Sequence, residues 1–335
     1  MRVLIIGGTR FVGRALVEAL VSRNHTLTLF NRGKSNPGLF PDIEEIHGDR
    51  ETDLEKLAGR KWDVAIDTCG YVPRIVRKST DLLADKVERY LFISTLSVYA
   101  DFSRPATKED FPLAQLKNET TEEVSAKTYG GLKALCESAV LDTFAERALI
   151  VRPGYIVGPH DPTDRFTYWM WRVSQGGTML APEPRNMAIR FVDVRDLAEF
   201  FTQAIERISR GVYNVSGPSH DLTLENLLNL ARKLTGVQTR VVWVNAKFMA
   251  DSDVKFGSDF PLCSPDKEKH RGFGSVDYSK ALALGLRFRP LEDTIRDTLT
   301  WATSRGDHYA LKAGLSPDRE KEALDKWLDR ERVSS

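Results

Sequence analysis

Cysteine is scarce: Cys69, Cys136 and Cys263 are the only three in 335 residues. They are isolated and odd in number, which suggests neither a disulfide framework nor a zinc site. A chain without disulfides suits a reducing compartment, and the cytoplasm is the expected location. The six histidines contain no HExxH pair, so no metal is expected. No apolar run approaches the roughly 18 residues of a membrane span. The N-terminal apolar run stops at Gly7-Gly8, too short for a secretory signal. A charge excess is missing as well: 48 basic residues face 47 acidic ones, a net charge of +1. That argues against nucleic acid or an anionic membrane as a dominant partner, and leaves room only for a local basic patch. The densest basic cluster after the glycine loop, Lys267-Glu-Lys-His-Arg271, contains an acid. There is no internal repeat and no low-complexity tract. What remains is a soluble globular composition, 41% hydrophobic, long enough for one large or two modest domains.

The most informative stretch lies at the start. Val3 to Ile6 form a short β-branched apolar run that reads as a buried strand, and Gly7 and Gly8 end it. From Phe11 the spacing of Phe11, Val12, Leu16 and Leu20 turns helical. A strand, a glycine turn and a helix in immediate succession make a dinucleotide-binding start. Glycines admit a pyrophosphate to the backbone, and the helix N-terminus offers N–H donors. The plainer reading is a tight turn with no ligand, because the usual spacing wants glycine at 7, 10 and 13 and position 10 is Arg.

Strand-like runs recur at 2–6, 26–30, 44–47, 63–66, 88–94 and 147–152, with helical patterns at 11–23, 72–85 and 122–145. Such alternation predicts a doubly wound α/β fold, a Rossmann parallel sheet with helices on both faces. The dinucleotide-binding domain is expected over 1–160, with 188–217 returning to it. Residues 161–335 are expected to form mainly a smaller mixed α/β C-terminal substrate-binding lobe. It would contain helices at Leu222–Thr235 and Leu291–Thr303, and a last helix opened by Ser316-Pro317-Asp318.

Tyr129-Gly-Gly-Leu-Lys133 lies in a helical segment, where residues four apart share a face. A nearby ammonium lowers a phenol from its usual pKa of about 10, so the pair can exchange a proton with a hydroxyl or carbonyl. The alternative is a solvated Tyr and Lys on one helix face. Context favours the chemistry: the strand Tyr90–Ile93 ends in Ser94-Thr95-Leu96-Ser97, placing hydroxyls where ligands bind in open α/β sheets. Strand-end capping is the other use of such hydroxyls, and it suits Ser94.

In order along the chain, Gly7-Gly-Thr-Arg-Phe-Val-Gly13, His47-Gly-Asp49-Arg50, Ile93-Ser-Thr-Leu-Ser-Val-Tyr99, Tyr129-Gly-Gly-Leu-Lys133, Val151-Arg-Pro-Gly-Tyr-Ile-Val-Gly-Pro159, Phe191-Val-Asp-Val-Arg-Asp-Leu-Ala198 and Tyr213-Asn-Val-Ser-Gly217 resemble the landmarks of extended short-chain dehydrogenases/reductases, the NAD-dependent epimerase/dehydratase group. The glycine-loop variant is similar to that of atypical members, chloroplast stem-loop RNA-binding proteins and isoflavone-reductase-like bacterial proteins. The resemblance implies an NAD(P)-dependent oxidoreductase or epimerase acting on a hydroxyl or carbonyl of a small molecule, such as a sugar or sugar-nucleotide derivative. It makes Tyr129 the general acid/base, Lys133 its partner and ribose ligand, and Thr95 the donor to the reacting oxygen. Further cofactor contacts are implied at Gly7, Thr9, Arg10, Phe11, Val12 and Gly13 in the loop, and at Asn31, Arg32 and Lys34 after the second strand. They continue at Asp49 and Arg50 beside the adenine, at Thr68, Cys69 and Gly70, and at Pro153 and Ile156 beside the nicotinamide. A homodimer built by the helices at 72–85 and 122–145 is also implied.

The chain departs from the pattern in several places. Asn31 stands where an NAD enzyme usually has an acid for the ribose, and Arg32 and Lys34 follow it. With Arg10 they could surround a 2′-phosphate, so NADP is expected ahead of NAD. Leu96 and Ser97 replace the Asp-Glu that 4,6-dehydratases need for water elimination. Ile189, beside Arg190, and Tyr155 replace an Arg and an Asn that hold sugar nucleotides in epimerases. Expected substrate contacts are Tyr71, Thr95, Tyr155, Arg165, Trp169 and Arg190. Trp169 reads more readily as a core or helix-interface residue, and His160, more readily a loop residue, and Phe166 are weaker candidates. The competing class of function is a non-catalytic cofactor-binding or RNA-binding protein on the same scaffold.

Overall fold

A computed structural model describes residues 1–217, 222–264, 274–306 and 309–334. The basic cluster 267–271 lies outside the described residues. The chain forms two compact units. The first comprises Met1–Gly154, Val194–Ser216 and Arg271–Arg287; the second comprises Tyr155–Asp193, Gly217–His270 and Phe288–Ser335.

The first unit is built on one parallel sheet. Its strands are β1 (Arg2–Ile6), β2 (Thr26–Asn31), β3 (Glu44–His47), β4 (Trp62–Asp67), β5 (Val87–Ile93), β6 (Ala148–Pro153) and β10 (Gly211–Val215). β7 (Ile156–Val157), β8 (Gly177–Pro182), β9 (Val192–Asp193) and β11 (Thr239–Val244) belong to the second unit. The seven strands run in the order β10-β6-β5-β4-β1-β2-β3. Val3, Leu4, Ile5 and Ile6 are at most 1% exposed. A strand buried on both faces needs such a continuous apolar run rather than an alternating one. The winding reverses between β1 and β4, and the crevice beyond their carboxyl ends is where ligands enter sheets of this kind.

α1 (Phe11–Ser22) packs on α5 (Val194–Glu206), and α2 (Pro73–Leu83) packs on α3 (Tyr129–Phe144). Pro73 at the first turn of α2 fits a position whose N–H would have no helical partner. The helix expected over 122–145 is shorter at its start and opens at Tyr129. Thr128 Oγ1 bonds the Glu123 carbonyl and accepts from Ser125 N at 2.9 Å. These side chain–backbone bonds compete with helix formation and hold 123–128 as a turn.

A buried ion pair anchors α3 to the sheet. Arg152 on β6 donates from Nε and Nη2 to Glu137 at 2.9 and 2.6 Å. Its Nη1 donates to Tyr99 Oη at 2.9 Å, and that hydroxyl donates to Asn214 Oδ1 at 2.6 Å. Tyr99, Arg152 and Asn214, each from a separate sequence landmark, thus meet in one network.

The second unit has two short parallel sheets, β8 with β11 and β7 with β9. Around them lie α4 (Arg165–Ser174), α6 (Leu224–Thr235), α7 (Ala246–Asp251), α9 (Leu291–Ser304) and α10 (Pro317–Ser334); α8 (Ser279–Leu284) is in the first unit. Its core is strongly aromatic, with Phe166, Tyr168, Trp169, Phe191, Phe248 and Phe260 buried. α6 has a clear start and stop: Thr223 Oγ1 accepts from Asn226 N, and Gly236 ends it at φ +67°. Among the described residues no helix is long and apolar enough to cross a membrane.

Candidate active site

The glycine loop is shaped by contact at Gly7 and Gly13. Gly7 has φ +108°, and a Cβ there would lie 2.2 Å from Thr68 Oγ1. A Cβ on Gly13 would lie 2.9 Å from the Gly8 backbone. Both close approaches require glycine. Position 10 has no such demand. Arg10 sits just before α1 at φ −128° and ψ 142°, ordinary extended backbone, with its side chain exposed. The loop therefore keeps its course with Arg at that position. Phe11 and Val12 open α1 half-buried, Phe11 at φ +32°. Thr9 is buried, and its carbonyl accepts from Asn36 Nδ2 at 2.7 Å. α1 has no acidic side chain in its first turn, so its positive dipole end is not neutralised from within. These features fit a dinucleotide pyrophosphate.

Around this loop the expected contacts divide. Thr68 Oγ1 donates to the Ile6 carbonyl at 2.8 Å and ties β4 to β1. Asn31 donates to the Gly7 carbonyl at 3.3 Å and to Glu45 at 2.6 Å, and accepts from Gly33 N at 2.7 Å. Asn31 thus braces the loop. Glu45, one strand over, brings an acid to the place where sequence reading found none; the parallel register of β2 and β3 was the signal that could have placed it. Arg10, Arg32 and Lys34 are exposed and form no hydrogen bond or ion pair among the described residues.

One expectation beside the adenine needs correction, that for the Arg50 side chain. Arg50 is turned inward: Nη1 and Nη2 reach Asp67 at 2.8 and 2.7 Å, and Nη2 also donates to Ser79 at 2.9 Å. A guanidinium committed to a fully buried carboxylate is withdrawn from the cofactor. Asp49 closes its own turn, its Oδ1 accepting from Glu51 N and its N–H donating to Asp53.

The Tyr129 and Lys133 pair is assembled by close backbone contact. A Cβ on Gly130 would lie 2.1 Å from the Ser97 carbonyl, and one on Gly131 2.6 Å from Leu116. Inside the Tyr–Lys motif, Gly130 therefore lets the start of α3 abut the turn Leu96–Val98, and Gly131 admits the Leu116 side chain. Thr95 caps that turn, its Oγ1 accepting from Ser97 N at 3.2 Å, while its hydrogen faces Ser97 Oγ at 3.3 Å. Lys133 is 3% exposed and donates to the carbonyls of Gly70 and Ile93 at 2.7 and 2.6 Å. Burial pushes its ammonium down to about 8, against the opposing pull of Cys136, Asp67 and Glu137. Tyr71 lies beside the pair, its ring centroid 6.4 Å from that of Tyr129 and 5.5 Å from Lys133 Nζ. Partial burial and the neighbouring Tyr129 push its phenol up to about 12. Cys69 Sγ points to the Ile6 carbonyl at 3.5 Å, and burial raises its thiol.

Of the remaining residues, Pro153 belongs to the first unit and the others to the second. Pro153 ends β6. In the second unit Ile156 pairs with Val192, and the Arg165 guanidinium stacks 4.7 Å from the Tyr155 ring centroid. Arg190 is half-buried, and His160 meets the Trp301 ring edge-on. Trp169 is a core residue, not a substrate contact: it is 0% exposed and its indole N–H donates to the Pro261 carbonyl at 2.7 Å. Phe166 is buried in the same core. A groove of about 610 Å³ in this unit, flanked by Arg185, Arg232, Arg240 and Trp243, contains none of the expected residues.

The profile of the NAD dependent epimerase/dehydratase family matches residues 3–216. The chain belongs to this family. Membership makes it an enzyme of the extended short-chain dehydrogenase/reductase type, on the Rossmann sheet described above. A curated relative, the chloroplast stem-loop binding protein of 41 kDa b from Arabidopsis thaliana, is 29% identical over 291 residues, 80% of this chain and 73% of that one. Solved structures share the fold. UDP-glucose 4-epimerase from Thermotoga maritima has a TM-score of 0.65 at 17% identity, over 91% of this chain and 99% of that one. UDP-glucuronic acid 4-epimerase from Bacillus cereus, in complex with NAD, has a TM-score of 0.65 at 16% identity, over 91% and 99%.

The cradle gives a direct test within this family scaffold. Gly13→Ala forces a methyl against the Gly8 backbone, and overpacking of this kind costs about 1–3 kcal/mol. A lower thermal midpoint together with weaker NADH binding is expected in calorimetry; unchanged values would show that the loop has room to spare.

Proposed function

We propose that this protein is an NAD(P)-dependent epimerase or oxidoreductase acting on a hydroxyl or carbonyl carbon of a small molecule, in the class of sugars and sugar nucleotides. The observation that carries the reading is the buried Lys133 ammonium, one helical turn from Tyr129, on a helix whose first turn is pressed against the Thr95 cap. NAD(P), when bound, supplies the hydride acceptor and donor. The chain supplies proton handling and orientation. Tyr129 takes the proton from the substrate hydroxyl, or returns it, with the Lys133 charge favouring the phenolate. Thr95 Oγ1 accepts from Ser97 N, and its O–H, which donates to Ser97 Oγ at 3.3 Å, turns from that long bond to donate to the reacting oxygen. Tyr129→Phe is expected to lower turnover by about 10²–10⁴-fold, with NADH binding retained. UDP-glucose and UDP-glucuronate with NAD are the first substrates, and sugar-proton NMR reads any epimer formed. Lys133 is charged below about 8 and loses its charge above it, so turnover is expected to fall as pH rises through that value. Wild-type turnover in Tyr129→Phe would remove this mechanism.

NADP is proposed ahead of NAD. Arg10, Arg32 and Lys34 form no ion pair among the described residues, whereas Glu45 is already engaged by Asn31 and His47. The Arg32→Ala/Lys34→Ala double variant should lose on the order of tenfold or more in NADPH affinity, with NADH little changed, by fluorescence titration. Equal losses for both cofactors would set the preference aside.

A second reading, RNA binding, is supported by the similarity to the Arabidopsis stem-loop binding protein. Retention of a stem-loop RNA on filters that falls steeply with salt is its signature, and retention indifferent to salt would count against it. The homodimer through α2 and α3 is proposed alongside the enzymatic reading.

A further inference from the structure

The ion pair Arg50–Asp67 is almost wholly buried, with 12% of the Arg50 side chain exposed, and is not an obvious source of stability. Asp67 is 0% exposed and ends β4. Arg50 grips both of its carboxylate oxygens and also reaches Ser79, yet its Nε is buried without a hydrogen-bond partner. Replacing a buried ion pair with apolar residues is often neutral or stabilising. An incompletely satisfied pair at this depth therefore points to a task other than holding the fold.

The connections of Asp67 identify that task. Its Oδ1 accepts from Cys69 N at 3.0 Å, and its Oδ2 accepts from Tyr90 Oη at 3.0 Å. The first of these bonds fixes the turn that follows β4, and the next carbonyl on that turn, Gly70 O, receives the Lys133 ammonium. Gly70 is itself confined: a Cβ would lie 2.6 Å from Phe92, 2.8 Å from Val76 and 3.0 Å from Asp67 Oδ2. Gly70 thus packs too closely on Asp67 and its neighbours to carry a side chain, and its backbone lies directly against the carboxylate. We infer that Arg50 and Asp67 are positioning residues for Lys133: Asp67 fixes the Gly70 carbonyl and lends Lys133 a negative counter-charge, and Arg50 keeps Asp67 ionised and in place.

The electrostatics agree in direction. Burial alone would raise the Asp67 carboxyl, and the Arg50 guanidinium, together with the Cys69 N–H and Lys133, more than offsets this and holds it below the ordinary carboxylate range. The charged and titratable groups around Lys133 are Asp67, Arg50 and Cys69 from the β4 side, the Tyr71 ring, and Tyr129, Cys136 and Glu137 on its own helix, with the apolar Phe92 ring 4.0 Å from Nζ. Asp67 and Glu137 favour the ammonium, and Arg50 opposes it. This inference rests on the place given to Lys133 in the proposed active site. It explains why the Gly-Asp-Arg landmark carries an arginine that faces away from solvent.

The test is the titration of Lys133 in the whole protein without substrate, followed by the lysine Cε carbon resonance in NMR and assigned by its loss in Lys133→Met. Asp67→Asn keeps the acceptor for Cys69 N and removes the counter-charge. It should lower the Lys133 midpoint from about 8 by on the order of one pH unit. The double variant Arg50→Gln/Asp67→Asn leaves no unpaired buried charge and serves if the single variant does not fold; a smaller fall of the same sign is expected. Tyr90→Phe, which keeps the carboxylate, should leave the midpoint in place. A merely structural pair would, when broken, admit water and raise the midpoint toward the ordinary lysine value. A rise in either Asp67 variant, or no movement in both, would overturn the assignment. The readout needs no turnover, so its outcome is separate from that of Tyr129→Phe.

Discussion

A buried ammonium sets the terms for the first unit. Lys133 lies almost out of water and cannot remain charged there without strong acceptors. The Gly70 and Ile93 carbonyls provide them at 2.7 and 2.6 Å. These carbonyls lie at the carboxyl ends of two adjacent strands, β4 and β5, so one side chain on α3 pins helix and sheet together where the sheet opens to ligands. The glycines at 70 and 130 follow from the same constraint. Each stands where a Cβ would separate surfaces that Lys133 draws into contact.

The helix that carries Tyr129 and Lys133 is held one turn further on by Glu137. Its carboxylate meets Arg152 from β6, and through Tyr99 and Asn214 the network extends to the turn after β5 and to β10. Tyr129, Lys133 and Glu137 therefore form a stripe at successive turns: the residue proposed for proton transfer, a buried charge and an anchor. An ion pair buried this deeply contributes little net stability against apolar alternatives, but losing one partner is costly. That asymmetry suits a contact that keeps α3 in register with the sheet.

Much of this was legible in the chain. The apolar runs of β1, β4, β5 and β6 are nearly continuous because parallel strands are buried on both faces, and the bounds of these strands and of β2 fall within a residue or so of the pattern. The Tyr–Lys spacing placed two side chains on one face because helical period alone decides that. Other assignments failed where partners distant in sequence decide the outcome. The start of α3 moved to Tyr129 because hydroxyl bonds of Thr128 and Ser125 compete with the helix. Arg50 turned inward because Asp67, 17 residues on, is brought to it by strand pairing. Trp169 went to the core because its indole found the Pro261 carbonyl, 92 residues away. The arginine in the glycine loop looked like a defect, but its backbone is extended and asks nothing of glycine.

The sequence by itself determined the sheet, its helices and the residue types available for proton transfer, because period, turn chemistry and burial of apolar runs are local properties. Tertiary structure alone decided which charges face the ligand and which face each other. Burying a charge is tolerable only beside a partner, and whether Arg50, Lys133, Glu137 or Arg152 has one depends on strands and helices that meet only after the chain has folded.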